Sequence, residues 1–256
     1  MNNEVLEAAV LSDAFGILTL LTQFPTQEVA EGLASGALGD DMAEVARELG
    51  LDGAAVRAAC EPLRGADATG LLQDMRIAYT ALFNHPEKPL VPLYEGQYRY
   101  DREEAPNEEG AGSGRGGAGE SGRESRKKRG AVRVDARPRL FVNPASLDAL
   151  REYRAAGMAP QDERQMPPDA MPVQMEFCSL LCLRLSQALL QGDEAAAAEV
   201  RRALGEFSKI HLAKWMRGFY GDCARTTPCE AYRAMGVFGT AVAERVLTAH
   251  SLAACA

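Results

Sequence analysis

The sequence predicts an all-α protein, and three observations lead to that class. Apolar residues recur every three or four positions in the periodic segments, and the apolar–polar alternation typical of strands is absent. The breaks between these segments carry Pro, Gly and Asp, the residues at which helices stop and restart. A chain of 256 residues can bury a sizeable core as one large domain or two small ones. We expect two helical halves joined by a flexible hinge and linker.

The N-terminal half, residues 1–100, opens with four or five helices between Asn3 and Phe83. Breaks such as FPTQ, SGALGDD, GLDG and RGAD separate them. Thr26 and Asp40 are predicted N-caps, because their short polar side chains can accept hydrogen bonds from free backbone N–H groups.

The end of this half is rich in proline and tyrosine. Prolines 86, 89 and 92 fix φ and lack a backbone donor, which predicts extended or turning backbone from His85 to Leu93. Tyrosines follow at positions 94, 98 and 100. Their apolar bodies and polar tips suit either a linker pinned to the core or a docking surface, and both interpretations stay open on these residues alone.

Residues 101–130 are predicted to form a flexible low-complexity linker. An acidic run is followed by seven glycines in thirteen residues and then by RESRKKRG. Such a composition cannot bury enough apolar surface to offset its chain entropy. We expect the RKKR run at 126–129 to be a solvated charge cluster.

The C-terminal half, residues 131–256, carries three well-marked helix starts. Asn143 precedes Pro144 at a predicted first helical position, and Asp193 is a predicted cap. Between these two starts, apolar residues recur every four positions from 173 to 189, which predicts a buried helix. Gly192 marks the C-terminal end of that helix. The TPCE run at 227–230 reads as a capping box. The helix after Asp193 is predicted to turn these residues inward: Val200, Leu204, Phe207, His211, Trp215 and Phe219.

Charge and hydropathy exclude several classes of function. With 36 acidic and 28 basic residues the net charge is −8, so nucleic acid and anionic membranes should repel the chain. The first basic residue, Arg47, follows the early apolar run AFGILTLL, so that run does not resemble an export signal. No apolar run approaches the roughly 20 residues that span a bilayer. We expect a cytoplasmic protein without stable membrane insertion.

No catalytic or cofactor-binding motif is recognisable. GxxxxGK[ST], GxGxxG, HExxH and GxSxG are all absent, and only three histidines occur. Cys178 and Cys182 share a helix face but complete no set of four metal ligands, so the six cysteines are expected to be reduced thiols. His211 lies on the apolar stripe and is expected to be a hydrogen-bonded core histidine. We predict neither enzymatic activity, nor a cofactor, nor a bound metal.

Three segments of the sequence match a set of known motifs. YTALFNHPEKPLVPLYEGQY is similar to Y-x-x-L-F followed by P-x-Y-E-S-x-Y, with Gly96 where Ser is usual. FSKIHLAKWMRGF is similar to F-x-x-x-H-L-x-x-W-x-x-x-F. PPDAMPVQMEFCSLL is similar to E-P-D-H-x-x-x-E-L-x-F-M, with Pro167 and Ala170 replacing the Glu and the His. In these motifs and in their order, over roughly residues 3–249, the chain resembles the TorD/DmsD-type maturation chaperones of molybdoenzymes.

The resemblance implies a cytoplasmic chaperone that binds the apo form of a molybdopterin oxidoreductase and holds its twin-arginine signal peptide until the cofactor is inserted. A cationic head and an apolar stretch in such a peptide suit carboxylates and an aromatic groove. Asp169 would attract the arginine pair. The other residues carried over for peptide contact are Tyr79, Leu82, Phe83, Pro92, Tyr94 and Tyr98, and those carried over as a structural motif are Phe207, His211, Trp215 and Phe219.

Several alternatives stay open on the sequence. A NarJ-like chaperone would bind the mature catalytic subunit rather than the signal. A helical regulator would bind nucleic acid through residues 123–139, and an enzyme would use Cys178, Cys182 and His211. A homodimer, formed by swapping the halves about the hinge, also stays open.

Overall fold

The computed structural model describes residues 3–86, 88–103, 143–159 and 166–253, without the side chains of 100–103 and 249–253. This part of the chain is helical and contains no strand, which confirms the all-α class. One isolated antiparallel bridge joins Tyr94 to Ala170. The α-helices are α1 (Asn3–Thr22), α2 (Gln27–Ser35), α3 (Ala37–Glu48), α4 (Gly53–Cys60), α5 (Ala68–Phe83), α6 (Glu95–Glu103), α7 (Pro144–Ala155), α8 (Met171–Gln191), α9 (Glu194–Phe207), α10 (Ala213–Thr226) and α11 (Glu230–Ala253).

Most predicted helix ends are found where the capping residues placed them. Thr26, Asn143 and Asp193 each accept a hydrogen bond from the backbone N–H three residues on, and Gly192 ends α8 with φ 70°. The prediction of Asp40 as an N-cap is wrong. Gly36, with φ 85°, turns the chain directly from α2 into α3, and Asp40 lies in the first turn of α3. Its carboxylate accepts hydrogen bonds from Arg57 and Arg64 instead.

The expected linker at 101–130 falls almost wholly outside the described residues. Helix α6 continues through Glu103, so its last residues belong to the segment that the sequence assigned to the linker. The rest of that segment, including the RKKR run, lies outside the described residues.

The core is built around an antiparallel pair of long helices, α1 and α8. Ser12 and Ser179 exchange side chain-to-backbone hydrogen bonds where the two helices cross, and the Ser186 hydroxyl donates to the Val5 carbonyl. The main hydrophobic cluster takes side chains from both predicted halves, from Val10 to Val246. The two halves of the sequence therefore share one core in the described part of the chain.

The expectation that no segment is apolar enough to span a membrane is wrong for α1 and α8. Both helices are long and apolar enough by length and composition alone. Half of each apolar window is buried inside the fold, which explains the composition: these helices form the centre of the core.

Candidate functional site

The three motifs of the sequence meet at one buried centre. The start of α6 contributes Glu95 and Gly96, the connection before α8 contributes Asp169, and the helix after α9 contributes His211 and Trp215. Both carboxylates are completely buried. Because a buried charge must be paired or hydrogen-bonded, their partners define how these elements sit together.

Glu95 is the hub of the first hydrogen-bond network. His211 Nδ1 lies 2.7 Å from Glu95 Oε2, and Gln174 Nε2 donates to the same oxygen at 2.8 Å. Arg99 donates to the other oxygen at 3.1 Å. The Gln174 amide oxygen accepts from the Trp215 indole N–H at 3.1 Å, so the network links α6, α8 and α10.

These partners stabilise the ionised form of Glu95. Burial by itself raises the pKa of the carboxyl group. The hydrogen bond and charge of His211, the Gln174 amide and the charge of Arg99 outweigh it, so that the pKa lies below its usual value. An ionised carboxylate can only accept hydrogen bonds, which places a proton on His211 Nδ1.

Asp169 joins the starts of α6 and α7. One oxygen accepts from the Gly96 N–H at 3.1 Å and from the Asn143 amide at 3.0 Å, and the other accepts from the Ser146 hydroxyl. The peptide contact expected of Asp169 needs an accessible carboxylate, whereas this one has no exposed surface. In this structure Asp169 positions two helix N-termini.

The glycine at position 96 has a steric reason in this chain. A Cβ atom there would lie 2.8 Å from the Oδ1 atom of Asn143, closer than real contacts allow. That oxygen is held in place because it caps α7 by accepting from the Ser146 N–H. Asn143 therefore occupies the space in which the motif's usual serine would stand.

The aromatic residues carried over from the resemblance form one connected cluster. Tyr79 contacts Phe83 edge-on, Phe83 stacks on Phe219 at 5.7 Å, and Phe219 contacts both Trp215 and Tyr98. The Tyr98 hydroxyl donates to Asp222 at 2.6 Å. These residues are buried, as are Leu82, Pro92 and Phe207, whereas Tyr94 is half-buried. Burial raises the pKa of Tyr79 to about 12, so its phenol stays neutral.

A π-helical turn at Ser208–Leu212 places His211 toward Glu95. A π turn contains more residues than an α turn, so side chains four residues apart point in more nearly the same direction from the helix axis. This keeps Phe207, His211, Trp215 and Phe219 on one buried side despite their spacing of four. Within the described residues His211 Nε2 and the Ser208 hydroxyl are buried without a hydrogen-bond partner.

An accessible groove runs beside this cluster, along the outer side of α5. It has a volume of about 360 Å³, and its walls are Ile77, Ala78, Ala81, Leu82, Leu90 and the 226–229 connection. We call it the α5 groove. On the far side of Ile77 a second depression of about 700 Å³ reaches Phe24 and His85. Leu82 is the single carried-over residue that lines either cavity.

Sequence reasoning missed the three most exposed apolar residues at these cavities. Ile77 is 63 % exposed, Leu90 58 % and Phe24 54 %. Ile77 falls between the positions of the buried stripe formed by Met75, Tyr79 and Leu82, and an apolar residue off the stripe is the signal that could have revealed it. Leu90 lies between Pro89 and Pro92, where no helical period indicates which side chains are exposed.

The described residues offer no site for a metal. No group of three or more His, Cys, Asp or Glu side chains within them could hold an ion. The described cysteines are free thiols, and burial raises the pKa of Cys182 to about 12. Cys178 and Cys182 are therefore protonated core residues rather than ligands.

In the comparison with known proteins, residues 130–221 match the family described as nitrate reductase delta subunit. The match supports the class of molybdoenzyme maturation chaperones. It contains the Asp169 connection and the segment that carries Phe207, His211 and Trp215. No curated protein and no solved structure gave a match.

Proposed function

We propose that this protein is a cytoplasmic maturation chaperone that binds the apo form of a molybdopterin oxidoreductase and holds its twin-arginine signal peptide until the cofactor is inserted. The observation that carries the proposal is the match of residues 130–221 to the nitrate reductase delta subunit family. The three motifs that resemble TorD/DmsD-type chaperones support the finer assignment.

The α5 groove is where the apolar part of the peptide would bind. Ile77 and Leu90 expose more than half of their surface, and Ala81 and Leu82 line the same groove. A helical segment laid in such a groove would cover these side chains. Tyr79 and Phe83 of the buried aromatic cluster directly follow the lining residues Ala78 and Leu82 in α5.

The charge beside the groove suits a cationic peptide. Asp74 lines the groove and forms no ion pair with the described residues. An arginine of the signal could approach it without first breaking a contact within the fold. Asp74 would then take the role that the resemblance gives to Asp169, which is buried here.

The expected affinity is modest. Burying about four apolar side chains contributes roughly 6 to 12 kcal/mol. Ordering a free peptide costs about 2 to 5 kcal/mol of that. A dissociation constant near the micromolar range follows.

The test is a titration of a fluorescent twin-arginine signal peptide of a molybdopterin oxidoreductase into wild type and variants. Ile77→Ser and Leu90→Ser should each weaken binding about 5- to 150-fold through lost apolar contact. Asp74→Asn should weaken it most at low salt. Leu147→Ser, at an exposed leucine of α7 outside the groove, is the matched control and should bind as wild type. Absence of saturable binding below about 100 µM would exclude the signal-peptide role.

The second candidate is a NarJ-like chaperone that binds the mature catalytic subunit. It is favoured by the delta-subunit match itself. The same titration with the apo subunit lacking its signal separates the two: binding that persists without the signal, and is lost in Ile77→Ser, assigns the groove to a segment of the mature subunit.

A further inference from the structure

A second apolar surface lies on the paired helices α1 and α8, away from the α5 groove. The two helices are antiparallel, and Ser12 meets Ser179 where they cross. Five leucines on them are between 40 % and 65 % exposed. Leucines clustered at this exposure on a two-helix face are unusual for a surface that faces only water. They are Leu6, Leu20, Leu180, Leu183 and Leu190.

Helical geometry places these leucines on one side of the pair. Leu6, Asp13 and Leu20 are seven residues apart on α1, so they share one stripe. The exposed stripe of α8 includes Glu176, Leu183 and Leu190, also seven apart. On each helix the exposed stripe is displaced from the contacting serine in the direction in which residue numbers increase around the axis. Because the two helices are antiparallel, these displacements bring both stripes to the same face of the pair. We call it the leucine face, and it is about 21 Å long from Leu6 to Leu20.

Two carboxylates interrupt the leucine face. In the register set by Ser12 and Ser179, Asp13 and Glu176 lie close to one another between Leu20 and the other leucines. Both are exposed, and neither forms an ion pair within the described part of the chain. Helix α1 has no basic residue, and the one on α8, Arg184, donates to the Ala156 carbonyl.

We propose that the leucine face docks a cationic amphipathic helix of a partner protein, with apolar side chains on the leucines and a lysine or arginine at the carboxylates. The charge selects this occupant. A second copy of this chain would bring the same two carboxylates and no cation from this face. An anionic lipid surface would be repelled by them. The inference does not depend on the proposed function, because it uses other helices.

A designed peptide of about 18 residues tests the proposal. It carries leucines at helical positions i, i+3 and i+7 and two lysines one turn beyond, and its control has glutamates in place of the lysines. The lysine peptide should bind the full chain with a dissociation constant below about 100 µM, and the glutamate peptide should bind at least about 10-fold more weakly.

Variants of the chain locate the binding. Leu183→Ser should weaken it at least about 5-fold, while Ile77→Ser in the α5 groove should not change it. Asp13→Asn combined with Glu176→Gln should weaken it about 3-fold at about 0.02 M salt and much less at about 0.5 M salt. These two exposed carboxylates carry no packing, so the double variant keeps the test valid if Leu183→Ser melts early.

Other outcomes overturn the proposal. Equal affinity for both peptides, or wild-type affinity in Leu183→Ser, would show that the leucine face is not the site. A dimer in sedimentation that Leu183→Ser dissociates would assign the face to a second copy. Binding to phosphatidylglycerol vesicles that the same variant abolishes would assign it to a membrane.

Discussion

At the scale of single residues, the buried carboxylates organise the centre at which the motifs meet. Glu95 and Asp169 have no exposed surface, and each is surrounded by donors from two or three helices. Such groups stabilise a fold only when every partner is in place, because an unpaired buried charge is costly. Substitutions here should therefore change stability before they change binding.

Replacing Asp169 tests whether it positions helices or contacts a peptide. Asp169→Ala removes the acceptor for Gly96, Asn143 and Ser146, and should lower the free energy of unfolding by about 2 to 4 kcal/mol. Asp169→Asn keeps one acceptor oxygen, so it should lower the free energy of unfolding by less. Urea unfolding measures both. Wild-type stability in Asp169→Ala together with lost peptide binding would instead indicate a direct contact.

The lowered pKa of Glu95 predicts how stability depends on pH. Since the folded pKa lies below the unfolded value of 4.5, the unfolded state binds more protons between the two. The stabilisation is fully present above pH 4.5 and is lost as the pH falls through the folded pKa. Unfolding followed from about pH 6 to about pH 3 should show a shallower loss in Glu95→Gln than in wild type. The same pH dependence of stability in both proteins would show that Glu95 is not its source.

At the scale of helices, capping and close approach fix how α6 meets α7. The Asn143 side chain caps α7 and packs where a Cβ at position 96 would stand. The two helix starts are therefore adapted to one another. The stability cost of a substitution at one start should depend on the residue present at the other.

Gly96→Ser, the residue usual in the resembling motif, should destabilise this chain by about 1 to 3 kcal/mol, because it forces Asn143 from its place. Asn143→Ala alone should cost about 1 kcal/mol through the lost cap. In the double variant the serine should cost much less, and thermal unfolding of the four proteins measures this coupling. Additive effects would show that the two residues do not compete for space.

At the scale of the whole molecule, one core joins helices from both ends of the sequence. Helix α1 packs along α8, and Phe83 of α5 stacks on Phe219 of α10. The Asp169 contacts join the N-termini of α6 and α7. In the sequence, the low-complexity segment connects these two helices.

Deleting residues 107–128 should leave the melting temperature nearly unchanged. The segment has few apolar groups to bury, and shortening a long connection changes closure entropy only slightly. The helices on both sides keep the contacts that Asp169 makes. Differential scanning calorimetry of the shortened chain measures the effect. A drop of several degrees would show that these residues contribute to the fold.

The sequence by itself determined the helical class and most helix ends, because these follow from local chemistry. Thr26, Asn143, Asp193 and Gly192 act on backbone groups within three residues of themselves. It failed at Asp40, where a turn at Gly36, four residues earlier, starts the helix and two distant arginines bind the carboxylate. The family motifs were also readable, since they are patterns of spacing.

Only the tertiary structure decided which motif residues are accessible. Asp169 and the aromatics of the Y-x-x-L-F motif are buried by helices far away in sequence, whereas Ile77 and Leu90 remain exposed. A helical pattern states which side of a helix is apolar, but not whether another helix covers it. The Glu95 network and the leucine face arise in the same way, because residues separated by many helices are brought together by packing that no local spacing encodes.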